Sequence, residues 1–164
     1  IRLEPQEFSA YFKILEDTIQ KKEQFLDELL GLTKGQEAVL AGEKFSMEEF
    51  SELMDKKEVY IQKISEFDAG FEAVFAKVKP VIEEYKKAFE PRIKALQQRI
   101  KTVLEKGAAL CALEEQNKAR LGICLGEKKK EIKNFKRSSE TVSGYYKNMT
   151  GAVADQSFFM DKKK

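Results

Sequence analysis

The sequence contains no histidine, the side chain that most often serves as a general acid or base near neutral pH. It also has no glycine-rich phosphate-binding loop and no nucleophile beside an evident base. Adjacent carboxylates such as Glu83 and Glu84 point about 100° apart on a helix and are typical of a solvated surface. These absences argue against an enzyme and against a bound metal or other cofactor.

Cysteine is scarce as well, since the chain has only Cys111 and Cys124. If both lie in one helix, about 20 Å separates them along its axis. A disulfide needs a Cα separation of roughly 4.4–6.8 Å. The spacing is not that of a zinc site either. We therefore expect two free thiols, as in a reducing compartment.

Long apolar runs are missing too. No stretch approaches the roughly 20 residues that span a bilayer, and the N-terminus has no signal-peptide pattern. The formal net charge of +2 is too small to draw the whole molecule to nucleic acid or to an anionic membrane. We expect a soluble intracellular protein with no nucleic-acid partner and no membrane insertion.

What the chain does have is helical character. Charged residues make up 35% and hydrophobic residues 42%, with three prolines and nine glycines in 164 residues. Apolar residues at steps of three and four predict helices at about 6–41, 46–79 and 91–137, with a short connector at 80–90. The predicted fold is all-α: an elongated antiparallel three-helix bundle or helical hairpin with a long third helix, forming one domain over 1–137.

Each predicted helix carries one buried stripe. In the first helix the stripe is Phe8, Phe12, Leu15, Ile19, Leu26 and Leu29, with Lys22 as a polar member. In the second it is Phe50, Leu53, Ile61, Ile64, Phe67, Phe71, Val74 and Val78, with Lys57. In the third it is Ile93, Leu96, Ile100, Val103, Leu110, Leu121, Leu125, Ile132 and Phe135, with Gly107, Glu114, Asn117 and Lys128.

Local signals mark the helix ends. Gly42 is expected in a left-handed conformation after the first helix. Ser46 and Glu49 have the spacing of a capping box at the start of the second. Pro80 should end or kink the second helix, and Pro91 suits the first turn of the third.

The predicted lengths differ. A helix from Pro91 to about Arg137 spans close to 70 Å, against about 52 Å for the first helix. About four turns at its end would then have no partner within the bundle. Leu125, Ile132, Phe135 and Val142 form the apolar stripe predicted to bind a partner helix there.

The most basic run is "GEKKKEIKNFKR", residues 126–137. One interpretation is a solvated helix end whose cations favour the C-terminal dipole. The other is a docking strip for an acidic partner surface. Nucleic acid is a weaker third option, because base stacking needs more aromatic residues than Phe135 alone.

Residues 138–164 differ from the rest in composition. They are rich in Ser, Thr, Gly, Asn and Lys, which predicts a flexible C-terminal tail. Two aromatic pairs, Tyr145 with Tyr146 and Phe158 with Phe159, are unusual in such a segment. Because exposed aromatic side chains commonly anchor interfaces, we expect the tail to bind a partner.

Three segments together resemble the FlgN family of flagellar type III export chaperones. "LLGLTKGQEAVLAGEKFSMEEFSELMDKKEVYIQKI" is similar to the opening helical hairpin of that family. "LEEQNKARLGICL" is similar to a later helix that carries two Asn three residues apart; Asn117 matches the first and Arg120 replaces the second. "YYKNMTG" followed by "SFFMDKKK" is similar to the ending of Gram-positive members.

The resemblance implies a bacterial cytoplasmic chaperone without enzymatic activity. Such chaperones bind the C-terminal helical segments of the hook-associated junction proteins FlgK and FlgL and deliver them to the export gate, the cytoplasmic domain of FlhA. The binding surface lies toward the C-terminus, which adds Asn117 and Leu121 to the candidate residues. A Tyr docks to the gate, and either Tyr145 or Tyr146 matches its position.

Two alternatives stay open. A homodimeric coiled-coil scaffold would close the exposed stripe between two copies, and light scattering would detect it at all accessible concentrations. An export chaperone for a different flagellar substrate would share the size and helical pattern. The sequence does not decide the oligomeric state.

Overall fold

A computed structural model describes residues 2–126 of the chain. These residues form α1 (Pro5–Ala41), α2 (Met47–Val78), a 3₁₀ turn (Lys79–Val81), α3 (Ile82–Tyr85) and α4 (Glu90–Leu125). No strand occurs in this part of the chain, and the predicted all-α fold is confirmed. The predicted continuation of the third helix over 127–137 and the tail at 138–164 lie outside the described residues.

The three long helices form a bundle in which α1 packs against both α2 and α4. Arg92 at the start of α4 contacts Ser9 near the start of α1, and Asn117 near the end of α4 contacts Thr33. The helices α1 and α4 therefore run parallel, and α2 runs antiparallel to both. The start of α4 is therefore level with the start of α1.

Ion pairs at heptad spacing fix the register between α1 and α4. Arg92 lies 2.6 Å from Glu16, and Arg99 and Lys106 lie 4.0 Å and 2.8 Å from Glu23. The three cations are spaced by seven residues, and so are the two acids. Flanking charges of this kind set the partner and orientation of packed helices more than they add stability.

The helix starts follow local sequence signals. Pro5 opens α1 at a position where a missing N–H breaks no hydrogen bond. The Ser46 hydroxyl oxygen accepts a hydrogen bond from the backbone N–H of Glu49 at 3.2 Å and caps α2. The expectation for Gly42 is wrong, because its φ of −67° and ψ of 157° are extended. The chain leaves α1 directly in an extended conformation, so no left-handed residue is required.

The helix α2 ends at Val78, two residues before Pro80. The predicted connector at 80–90 includes α3 and most of the 3₁₀ turn. These elements cover the base of the bundle, which is the end where α1 and α4 begin. There the Tyr85 hydroxyl donates a hydrogen bond to the Leu3 carbonyl oxygen. The Phe8 ring stacks on Tyr85 at 4.4 Å and meets Phe89 edge-on at 4.8 Å between ring centroids.

The predicted stripes of α1 and α4 are buried over their described length. In α2 the prediction is partly wrong. Leu53, Ile61, Phe67 and Val74 are only half-buried. Met54, Asp68 and Phe75, which the predicted stripe leaves out, are buried, and so is Lys57, which it includes.

Candidate partner-binding region

Leu121 and Leu125 lie at the end of the bundle where α1 turns into α2. Their side chains are buried and form a small apolar cluster, the tip cluster, with Leu40, Met47 and Phe50. The expectation that Leu125 begins an unpaired stripe is wrong. The hairpin of α1 and α2 reaches the last described turn of α4 and covers it.

Asn117 is buried one turn before the tip cluster. Its side-chain Nδ2 donates a hydrogen bond to the Thr33 carbonyl oxygen at 3.0 Å, and Thr33 itself donates to the Leu29 carbonyl at 2.7 Å. The Asn117 Oδ1 atom has no hydrogen-bond partner among the described residues. A buried amide of this kind favours one register of α4 on α1 at some loss of stability.

A charged cluster joins all three long helices beside Asn117. The Lys57 ammonium of α2 donates a hydrogen bond to Gln36 Oε1 of α1 at 2.8 Å and forms an ion pair with Glu114 of α4. Gln36 Nε2 also donates to the Phe50 carbonyl at 3.4 Å. Burial lowers the pKa of Lys57, and the adjacent Glu114 carboxylate opposes that shift.

A second buried ion pair lies farther down the bundle between α1 and α2. Lys22 Nζ is 2.7 Å from Asp68 Oδ1. Burial raises the pKa of Asp68 despite the nearby cation. Since Lys106 contacts Glu23, Gly107 lies level with Lys22 in the bundle.

The surface beside the buried tip cluster is partly open to solvent. A cavity of about 540 Å³ lies between the α1–α2 turn and the end of α4, and Leu40, Phe45, Ile123 and Cys124 line part of it. The Ile123 side chain is 77% exposed. Neither Cys111 nor Cys124 forms a disulfide within residues 2–126.

Sequence reasoning found Lys22, Lys57 and Glu114 as polar members of the stripes but did not identify their partners. It missed Gln36 and Asp68. Gln36 continues the spacing of the α1 stripe, so its position was available from the pattern. Asp68 likewise stands at heptad spacing, four residues after Ile64 and three before Phe71, but its charge kept it out of an apolar pattern.

The other predicted binding residues lie outside the described residues. They are Ile132, Phe135, Val142, Tyr145, Tyr146, Phe158 and Phe159. The basic run is outside as well, apart from Gly126. Where these side chains lie relative to the tip cluster stays a prediction.

Within residues 2–126, no group of acidic or cysteine side chains could hold a metal ion. No described helix is long and apolar enough to cross a membrane. A family model with the description "FlgN protein" matches residues 11–151, which include most of α1, all of α2 and α4, and Tyr145 and Tyr146. No curated protein and no solved structure matches the chain.

Proposed function

Because the chain belongs to the FlgN family of flagellar export chaperones, we propose that it binds hook-associated junction proteins of the FlgK and FlgL type in the cytoplasm. The bound element is the C-terminal helical segment of the cargo. The chaperone then delivers the cargo to the export gate, the cytoplasmic domain of an FlhA-type protein. FlgN is a family of chaperones and not of enzymes.

The extent of the family match carries this proposal. The match continues past the last described turn of α4 to residue 151 and so includes the basic run and both tyrosines. A generic helical bundle would account for α1, α2 and α4 alone. The homodimeric scaffold has no comparable support.

The cargo surface is proposed to follow α4 along the chain. In the sequence, the spacing of Leu121 and Leu125 continues through Ile132, Phe135 and Val142. Because the hairpin covers Leu121 and Leu125, an amphipathic cargo helix would bury its apolar face on Ile132, Phe135 and Val142. Burial of apolar surface contributes about 25 cal/mol per Å² before the cost of ordering. The lysines of the basic run would favour a cargo segment with acidic flanks.

The gate contact is assigned to the tail. Tyr145 and Tyr146 both lie within the matched range, and either could present its ring to the gate. Phe158 and Phe159 lie beyond the matched range, so their role in binding rests on their aromatic character alone.

Calorimetric titration tests the cargo assignment. The full chain is titrated with C-terminal peptides of FlgK and FlgL from the same cell, and with a filament-subunit peptide. Binding of the junction peptides alone supports the proposal. Binding of the filament peptide alone would assign a different cargo, and binding of none would refute the cargo class.

Two substitutions locate the surface. Phe135→Ala should weaken binding of the junction peptides at least about tenfold, as for an interface anchor. Val59→Ala, an exposed apolar position on α2 away from the end of α4, is the control. Deletion of 138–164 should abolish binding to the gate domain. If both binding reactions survive that deletion, the role assigned to the tail is wrong.

A further inference from the structure

The buried core of the bundle is in two parts. The larger apolar cluster runs from the base to Leu29, Ile64 and Leu110, and the tip cluster is separate from it. Between the two clusters the buried positions are mostly polar: Thr33, Gln36, Lys57, Glu114 and Asn117. Met54 is buried at this level but belongs to neither cluster. This polar layer interrupts apolar packing across all three helices.

Only two buried apolar side chains hold the described end of α4 to the hairpin. Its buried side chains beyond Leu110 are Glu114, Asn117, Leu121 and Leu125. Two of these are polar, and replacement of a buried ion pair by apolar residues is often neutral or stabilising. Gly122 lies in the same segment, where glycine disfavours the helix relative to alanine.

We propose that residues 114–125 of α4 open from the hairpin as a unit while the rest of the bundle stays folded. The polar layer is the boundary, because a unit ending there does not break the larger apolar cluster. Such local opening is expected where apolar contacts are sparse. The open form exposes Leu40, Met47 and Phe50 as an apolar groove.

Opening also leaves the Lys57 ammonium without its carboxylate. A helix that takes the place of α4 must therefore supply an acid together with two apolar residues. In α4 the acid is Glu114, and the apolar residues, Leu121 and Leu125, follow it by seven and eleven positions. The occupant of the groove is a cargo helix with this spacing. This assignment of an occupant rests on the proposed chaperone function, whereas the opening itself does not.

Hydrogen exchange of the free full-length chain, read by mass spectrometry, tests the opening. Amides of 119–125 should exchange at least about tenfold faster than those of 96–110. Glu114→Gln leaves the Lys57 cation buried without a carboxylate and should speed exchange at 119–125 further. Asp68→Asn, the matched change in the lower ion pair, should leave the ratio between the two segments unchanged.

A variant with a stabilised polar layer tests whether this layer is the boundary of the opening unit. Lys57→Met combined with Glu114→Leu should slow exchange at 119–125 by about tenfold, because no charge is then buried. Lys22→Met combined with Asp68→Leu is the matched control and should not change the ratio. Equal protection of 119–125 and 96–110 in the unmodified chain would overturn the opening. If the two double variants change the exchange ratio between 119–125 and 96–110 equally, the polar layer is not the boundary of the opening unit.

A labelled peptide of residues 108–126 tests the groove. It should bind the full chain, and its Glu114→Gln form should bind at least about tenfold more weakly, as for loss of a charge-assisted hydrogen bond. Equal binding of the two peptides, or no binding of either, would overturn the groove assignment. If opening is seen but junction-protein peptides do not bind, the proposed function fails and the opening stands. If those peptides bind while 119–125 stays protected, the opening and the groove fail and the proposed function stands.

Discussion

Replacement of Lys22 by methionine should reveal the energetic role of the lower buried ion pair. The Lys22 side chain is 2% exposed and that of Asp68 is 8% exposed. Methionine keeps an unbranched chain and a similar helix propensity, so the substitution mainly removes the charge. The Asp68 carboxylate would then be buried without a cation.

Breaking a buried pair in this way costs about 3–5 kcal/mol. The total free energy of unfolding of a domain is about 5–15 kcal/mol, so the single variant should lose a large part of its stability. Asp68→Leu alone should cost a similar amount, because it leaves the cation unpaired. The double variant buries no charge and should lie within about 1 kcal/mol of the unmodified chain.

Urea unfolding followed by far-UV circular dichroism measures all four proteins of this cycle. Lys13→Met is the matched control on the same helix. The Lys13–Asp17 pair is exposed at both side chains, and its loss should cost no more than about 0.5 kcal/mol. If the two single changes add up in the double variant, Lys22 and Asp68 do not compensate each other, and this reasoning is refuted.

Three further predictions concern the cap of α2, the titration of Asp68 and the tip cluster. Ser46→Ala removes the acceptor for the Glu49 N–H and should lower the free energy of unfolding in urea by about 1 kcal/mol; no change would mean that the cap adds nothing. Because burial raises the pKa of Asp68 above its ordinary 3.8, its protonated form contributes stability that is fully present below pH 3.8 and lost as the pH rises through the folded-state pKa. The free energy of unfolding relative to Asp68→Asn should fall accordingly across a pH series, and a rise would contradict the direction of the shift. Leu121→Ala should cost about 2–5 kcal/mol if the tip cluster unfolds with the rest of the bundle, and less if it opens first. Ile123→Ala, on the exposed face two residues away, should stay within about 0.5 kcal/mol when both variants are unfolded in urea.

Much of the fold was predictable because its signals are local. The stripes of α1 and α4 repeat every three or four residues, so a short window of sequence contains the information. Pro5, Ser46 and Pro80 mark helix limits through their own backbone chemistry. Gly42 shows the limit of this reasoning, since a glycine after a helix permits a left-handed conformation but does not require it.

The candidate site was less predictable. Asn117 and Glu114 were recognised as polar members of a stripe, and the spacing of Leu121 and Leu125 was correct. Their partners could not be read from the sequence, because they lie on other helices. The cover over Leu125 depends on how far the hairpin of α1 and α2 extends beside α4.

The sequence by itself determined that the chain is all-α, where its long helices begin, and that it belongs to the FlgN family. Helix formation and family patterns depend on residues close together along the chain. Only the tertiary structure decided that Lys22 pairs with Asp68 and that Lys57 joins Gln36 to Glu114. These contacts link residues far apart in sequence, and they exist because the parallel register of α1 and α4 and the antiparallel return of α2 bring them to the same level.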